Sequence, residues 1–377
     1  MAVGVADAPY TSYTWTAGMV RSIPDAISLI EPTQNPFLEW LGMSSANDKW
    51  PDLVPSTKIE WNEDAMAAMA DTVAADVADA TVTTIQVTDG SLWKAGDVGL
   101  VDLEYVHVTS ISTNTLTLTR NFGGTAASHA STTAIYIRGA ARLEGATGDF
   151  DVMTTAEQPY NYTSIVQVGV KVTGSAAKQK HLGIDDLSAY EGDKAMKRLA
   201  RKMEFNLFHG QLKAGSATTP RSMGGLKTFI TTAGNYVAVG GAIHKSNIDT
   251  LMEYCINDGG NPDTLWVSPG VFADICREMD DYVYTSAEQT EGTLGRVPVT
   301  RIRTQFGEIG VKWDLNIPDA DGFLLQQSLI GMYEFRAPFQ QNLSITGDFF
   351  PSEIIAEHSL VVEHGLTAHG RLGTMTT

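Results

Sequence analysis

Between Gly183 and His209 the apolar positions fall at Leu187, Tyr190, Met196, Leu199, Ala200, Met203 and Leu207. This is the i, i+3, i+4, i+7 spacing of one buried helical stripe, and it predicts a single helix over 183–209. Asp193, Lys197, Arg198, Arg201 and Lys202 occupy the opposite face. Charge is also ordered along the axis. Asp185, Asp186, Glu191 and Asp193 come early and five basic residues follow from Lys194 to Lys202, which complements the helix dipole. Asp193 and Lys197 stand at i, i+4 with the acid first. Gly210 follows as a stop signal. About 27 residues at 1.5 Å each would span roughly 40 Å. Gly192, inside the pattern, marks a bend or a close approach. A helix this long is a scaffold; it carries no reactive centre.

The first fifty residues lack such periodicity. Pro9, Pro24, Pro32, Pro36 and Pro51 interrupt them, leaving room for a short helix over Ala17–Ile30 and a turn over Pro36–Leu41. Trp15, Phe37, Trp40 and Trp50 are spread along this arm, which would lie across its own core or across a neighbour. Lys58–Trp61 is strand-like. From Thr81 to Arg138 the pattern is almost wholly β, with TTIQV, VGLV, YVHVTSI, TLTLTR and TAIYIR separated by Asp89-Gly90, Gly96-Asp97, Thr113-Asn114 and Gly123-Gly124. Leu116 and Leu118 should face inward and Thr115, Thr117 and Thr119 outward. Five or six short strands in this space predict a small closed or nearly closed β-barrel inserted at a loop tip. YNYTSIVQVGVKVTGSA is another strand. After Gly210 comes a Gly-rich loop. A helix capped by Ser246 or Asn247, the strand TLWVS and a helix started by Pro269 then form an α/β subdomain. Four further strand segments and the strand-like IIAEHSLVVEHGLTAHGRLG complete the chain.

The 377 residues suffice for two or three domains, and 43% hydrophobic content supports real cores. The net charge of -18 argues against a general nucleic-acid-binding protein, which needs a basic face. Two cysteines, Cys255 and Cys276, form no C-x-x-C pair and no disulfide framework; synthesis in a reducing cytoplasm is expected. No run of 18 apolar residues suggests a membrane span. MAVGVADAPYTSYTW has no basic region followed by an apolar core, so no signal peptide is expected.

The chemistry-bearing motifs are missing. There is no G-x-S-x-G, P-loop, G-x-G-x-x-G after a strand, or H-E-x-x-H. Glu357, His358, Glu363, His364 and His369 cluster near the end, but in no standard ligand spacing. In a strand His358 and His364 would stand about 20 Å apart. They are read as core or surface side chains, and no metal or cofactor is expected. Cys255 and Cys276 are read as buried inert thiols, and the Asp280-Asp281 and Asp319–Asp321 groups as solvated turns.

YNYTSIVQVGVKVTGSA followed by KRLARKMEFNLFHG resembles the major capsid proteins of tailed bacteriophages with the Hong Kong-97 shell fold. SLIEPTQNPFLEWLG, TQFGEIGVKW and NLSITGDFFPSEIIAEHSLVVEHGLTAHG are similar to one branch of that family. The resemblance covers most of the chain outside residues 75–138. It implies an α+β fold with an N-terminal arm at 1–50, an extended loop at 51–74 and 139–160, and an inserted β-barrel at 75–138. A peripheral domain at 161–239 and 331–377 would hold a spine helix at 183–209, and an axial domain would occupy 240–330. Trp15, Phe37, Trp40 and Trp61 are expected at contacts between subunits, and Met196, Leu199, Met203 and Leu207 in the spine-helix core. The implied function is structural, not enzymatic. The subunit would self-assemble as hexamers and pentamers into an icosahedral virion head around double-stranded DNA, touching DNA on the inner face without sequence specificity. Scaffolding, portal and decoration proteins are further implied partners. No charge-rich helical leader precedes the arm, so no fused scaffold is expected. An acidic wall leaves packed DNA mobile, and arms that bury poorly on their own subunit are satisfied in closed rings. The alternative is an α/β enzyme or carbohydrate-binding protein carrying a β-module. The missing catalytic motif and the aromatic-studded arm weigh against it.

Overall fold

The computed structural model describes residues 35–44, 56–146, 154–180, 184–278, 301–318 and 320–376; Trp15 and the helix expected over Ala17–Ile30 lie outside them. The chain begins with helix α1 (Pro36–Ser44) and strand β1 (Lys58–Glu60). Strands β2 (Ala70–Thr72), β3 (Thr84–Gln86), β4 (Asp97–Val101), β5 (Glu104–Ser112), β6 (Thr115–Gly123) and β7 (Ala134–Ala140) follow. Then come β8 (Tyr160–Tyr162), β9 (Ser164–Thr173), α2 (Gly174–Lys178), the long helix α3 (Leu187–His209) and α4 (Leu226–Phe229). Next are β10 (Asn235–Ala238), α5 (Lys245–Asn257), β11 (Thr264–Val267) and α6 (Pro269–Glu278). The last strands are β12 (Arg301–Arg303), β13 (Glu308–Trp313), β14 (Gly322–Leu325), β15 (Ile330–Asn342), β16 (Phe349–Val362) and β17 (Gly370–Gly373). Among the described residues no helix is long and apolar enough to cross a membrane.

Two compact units result, one of 1–60 with 160–377 and the other of 61–159. In the first, β1 pairs antiparallel with β8, Lys58 opposite Tyr162 and Glu60 opposite Tyr160, so the chain leaves and re-enters it at one place. A three-stranded sheet has the order β15-β16-β9. Its edge strand β15 slips register between Glu334 and Phe339. Pro338 falls within that slip, as suits a residue with no amide hydrogen to donate. A six-stranded mixed sheet has the order β10-β17-β14-β11-β13-β12. Both faces of β11 are buried. Leu265 and Val267 pack with Leu251, Cys255, Val271 and Ile275 of α5 and α6. Trp266 points the other way, into a core with Phe37, Leu207, Phe208 and Phe323. The C-terminal strand β17 lies inside this sheet, parallel to β10 and antiparallel to β14. Near the end of the chain Leu372 and Met375 thereby complete the core under α5 and α6. The cap of α5 is His244 rather than Ser246 or Asn247; its amide donates to Asn247 Oδ1 at 2.9 Å.

Helix α3 starts at Leu187, four residues later than the apolar pattern predicts, because Asp186 caps it by accepting from the amides of Ser188 and Ala189. It ends at Gly210, whose φ of -51° is not left-handed. A Cβ there would stand 2.5 Å from the carbonyl oxygens of Asn206 and Met223, so close approach requires the glycine. Gly192 has nothing nearer than Gln340 Nε2 at 4.0 Å and marks no such approach. The buried seam runs through Ala195, Leu199, Met203 and Leu207. Steps of four residues wind about the axis by roughly 40° each. The seam thus passes from the β9–β16 sheet, where Leu199 and Met203 meet Val166, Ile354 and Ala356, to the core under α1. Met196, expected in the core on a straight stripe, is 41% exposed, and Ala195 takes the buried place. Leu199→Ala is expected to destabilise the subunit by about 2–5 kcal/mol, read by chemical denaturation. A change inside about 0.5 kcal/mol, the surface range, would mean that this side chain does not carry the seam.

In the second unit the six strands form one sheet in the order β2-β7-β4-β5-β6-β3. It starts at Ala70, earlier than the expected 75. Val106, Val108, Leu116, Leu118 and Ile135 fill its core around Trp93, and Thr119 is exposed. The outer strands β2 and β3 approach only at a bridge between Val73 and Val87, with Ala74 N donating to Gln86 O at 2.7 Å and Thr88 N to Thr72 O at 3.0 Å. Of the expected closed or nearly closed barrel, the structure has a partly curled sheet with no continuous closing ladder. Its end strands have three residues each, too few for a full seam.

Candidate functional site

The start of α1 is where the arm meets the body of its own subunit. Pro36 occupies the first helical turn, leaving the next amides without intrahelical acceptors. Glu204 of α3 supplies one: its Oε1 accepts from Phe37 N at 3.0 Å and Leu38 N at 3.3 Å. Its Oε2 accepts from Asn316 Nδ2 at 2.8 Å, and the same nitrogen donates to Asp314 Oδ1 at 2.9 Å. Glu204 and Asp314 are fully buried. Burial foremost, and then the adjoining Asp314 carboxyl, push the Glu204 pKa up to about 9, against the two amides, which favour the anion. Two carboxyls in one dry site, both touching Asn316 Nδ2, favour the neutral form of Glu204.

Above this pair the rings of Phe37, Trp40, Phe208 and Trp266 interlock. Phe37 lies 4.6 Å from Phe208 and 5.1 Å from Trp266, the latter edge-on at 86°. Lys312 Nζ stands 5.6 Å and 5.5 Å from the Trp40 and Trp266 ring centres, and burial lowers its pKa. Phe37 and Trp40, expected between subunits, are thus 0% and 5% exposed within their own subunit. Helix α1 is long enough to close a core, and the amide partners at its start fix it there. Trp61 is also buried, in the other unit, with Nε1 donating to Glu63 at 2.6 Å.

Two further buried carboxylates tie segments together. Glu357 of β16 accepts from Thr163 Oγ1, Arg221 and Arg336 Nε. Burial alone would raise its pKa, but these donors hold it below the ordinary value. In the second unit Glu104 takes a two-pronged contact from Arg120, Nε at 2.7 Å and Nη2 at 2.6 Å, with His129 Nε2 at 3.0 Å. Burial opposes its ionisation; Arg120, His129 and the amides of Asn121 and Ala127 outweigh it and bring the pKa to about 2.

Of the histidines near the C-terminus, His358 and His369 belong to the core and His364 is half-buried. His369 Nδ1 accepts from Gln326 N at 3.1 Å and Nε2 donates to Glu363 O at 3.2 Å. Burial lowers the pKa values of His358 and His369 to about 4. Among the described residues no three His, Cys, Asp or Glu side chains converge as metal ligands. Burial pushes the Cys255 thiol up to about 12, which makes it a poor nucleophile. Asp321 is no solvated turn: it is buried and pairs with Arg371 at 2.6 Å and Lys227 at 2.9 Å. The pattern missed Glu204, although an acid four residues after Ala200 and four before Phe208 sits on the apolar side of the helix.

A long helix on a three-stranded sheet, beside a mixed sheet covered by helices, defines a shell subunit of the Hong Kong-97 type. The chain matches the SU10 major capsid protein model over residues 8–376 and belongs to that family. Its fold is similar to the capsid asymmetric unit of cyanophage A-1(L), at 12% identity and TM-score 0.61. It is also similar to structures from Microbacterium phage Oxtober96 (11%, 0.53) and Mycobacterium phage Bobi (12%, 0.51). Each match covers 98% of this chain and 100% of the other. No curated protein matches. The protein is a structural component of the phage icosahedral shell, where it assembles with copies of itself, and not an enzyme.

Proposed function

We propose that hexamers and pentamers of this chain enclose double-stranded DNA, and that the unit of residues 61–159 projects outward and cements neighbouring capsomers. The supporting observation is apolar exposure on that unit: Leu103 is 88%, Leu143 87% and Met66 96% exposed, side chains that gain by being covered. The net charge of -18 suits an inner wall that meets DNA without sequence preference. Scaffolding, portal and decoration proteins would be further partners.

Replacing residues 70–140 with a Gly/Ser linker removes the whole sheet. Negative-stain images of the full-length protein should show closed shells, and the shortened chain should give fewer shells with a lower melting temperature. Unchanged yield and melting would make the unit a projection without neighbour contacts. Only small oligomers from the full-length chain would remove the shell reading as well.

A further inference from the structure

The Glu204–Asp314 contact does more than fill space. Two carboxyls lie buried together with no cationic partner among the described residues; their N–H donors are Phe37, Leu38 and Asn316. Asp314 Oδ2, inaccessible to solvent, receives no N–H or hydroxyl hydrogen bond among the described residues. A proton shared with the neighbouring Glu204 carboxyl would satisfy it. We propose that this shared proton is a latch: it holds the start of α1 on the spine helix, and its loss lets α1 detach while the rest of the subunit stays folded.

The groups facing the pair do not substitute for the proton. Lys312 is engaged over Trp40 and Trp266. Lys227 of α4 is paired with Asp321. His209, on the same helix, contacts Asn316 O through Nε2. His358 of β16 is buried and neutral, and Glu39 of α1 is exposed. β9 presents Val166, Val168 and Val170.

The direction of the pH effect follows from linkage. An acid whose pKa is raised in the docked state binds a proton there that the free carboxylate does not hold. Docking is therefore full only below the free carboxyl's ordinary value near 4.5, weakens as pH rises from there, and levels off above the raised value. With that value at about 9, docking should fall about tenfold between pH 8 and pH 10.

Hydrogen–deuterium exchange of the full-length protein, corrected for intrinsic rates, reads this directly. The segment 36–44 should lose about tenfold protection over that interval while β11 stays protected. Glu204→Gln and Asp314→Asn, which keep hydrogen-bonding shape without the second charge, should each flatten the loss. A flat wild-type profile, a loss shared by β11, or an undiminished loss in Asp314→Asn overturns the latch. If neither variant folds, the wild-type comparison of 36–44 with β11 still decides.

Discussion

Phe37→Ala is expected to cost the subunit about 3–5 kcal/mol. The phenyl ring is fully buried and touches Trp40, Phe208 and Trp266 at once. Its removal leaves a void between three large, rigid groups that cannot collapse on it. The neighbouring core of Leu207, Leu226, Ile230 and Phe323 spans α3, α4 and the mixed sheet, so the loss should appear in global unfolding. Denaturant titration of the dissociated subunit provides the measurement. A loss below about 1 kcal/mol, typical of a surface site, would return Phe37 to a contact between subunits. In that case the variant would weaken shells and leave the subunit intact.

The second large effect belongs to Glu104. Glu104→Ala is expected to destabilise the unit of residues 61–159 by about 3–5 kcal/mol. The substitution strands Arg120, whose side chain is 6% exposed, without its two-pronged carboxylate and leaves it carbonyl hydrogen bonds such as that to Val82 O at 2.8 Å. It also releases the amides of Asn121 and Ala127. The pH dependence has a fixed sign. A depressed carboxyl pKa contributes stability that is complete above the ordinary value near 4.5 and is lost as pH falls through about 2. Near-ultraviolet circular dichroism around the buried Trp93 should therefore persist in the wild type into moderate acid and disappear near pH 2. Glu104→Ala should show no such step. Equal acid transitions in the two proteins would show that Glu104 does not set the acid limit.

Much of the fold is legible because local patterns report local burial. The 3.6-residue period of α3, the alternation of Leu116 and Leu118 with threonines, and Pro269 at a helix start each reflect one element meeting one apolar surface. Their order along the chain also carries the resemblance to a shell subunit, since α3 after β9 is a feature of chain sequence. The candidate site is less legible. Asp314 stands in a turn after β13 and Glu204 on a helix, 110 residues apart, and nothing local to either announces the other.

The sequence by itself determined the long helix, the β-rich insertion, the α/β segment, the missing catalytic motifs and the acidic charge, because each depends on residue type and spacing alone. The tertiary structure alone decided which surface each element covers. It turned Phe37 and Trp40 inward against Trp266, wound the α3 seam past Met196, carried β17 into the mixed sheet and left the insertion's end strands joined by a single bridge. It also brought two carboxyls into one dry site. The physical reason is common to all five. Burial is set by what lies opposite a side chain in space, and those partners lie tens to hundreds of residues away along the chain.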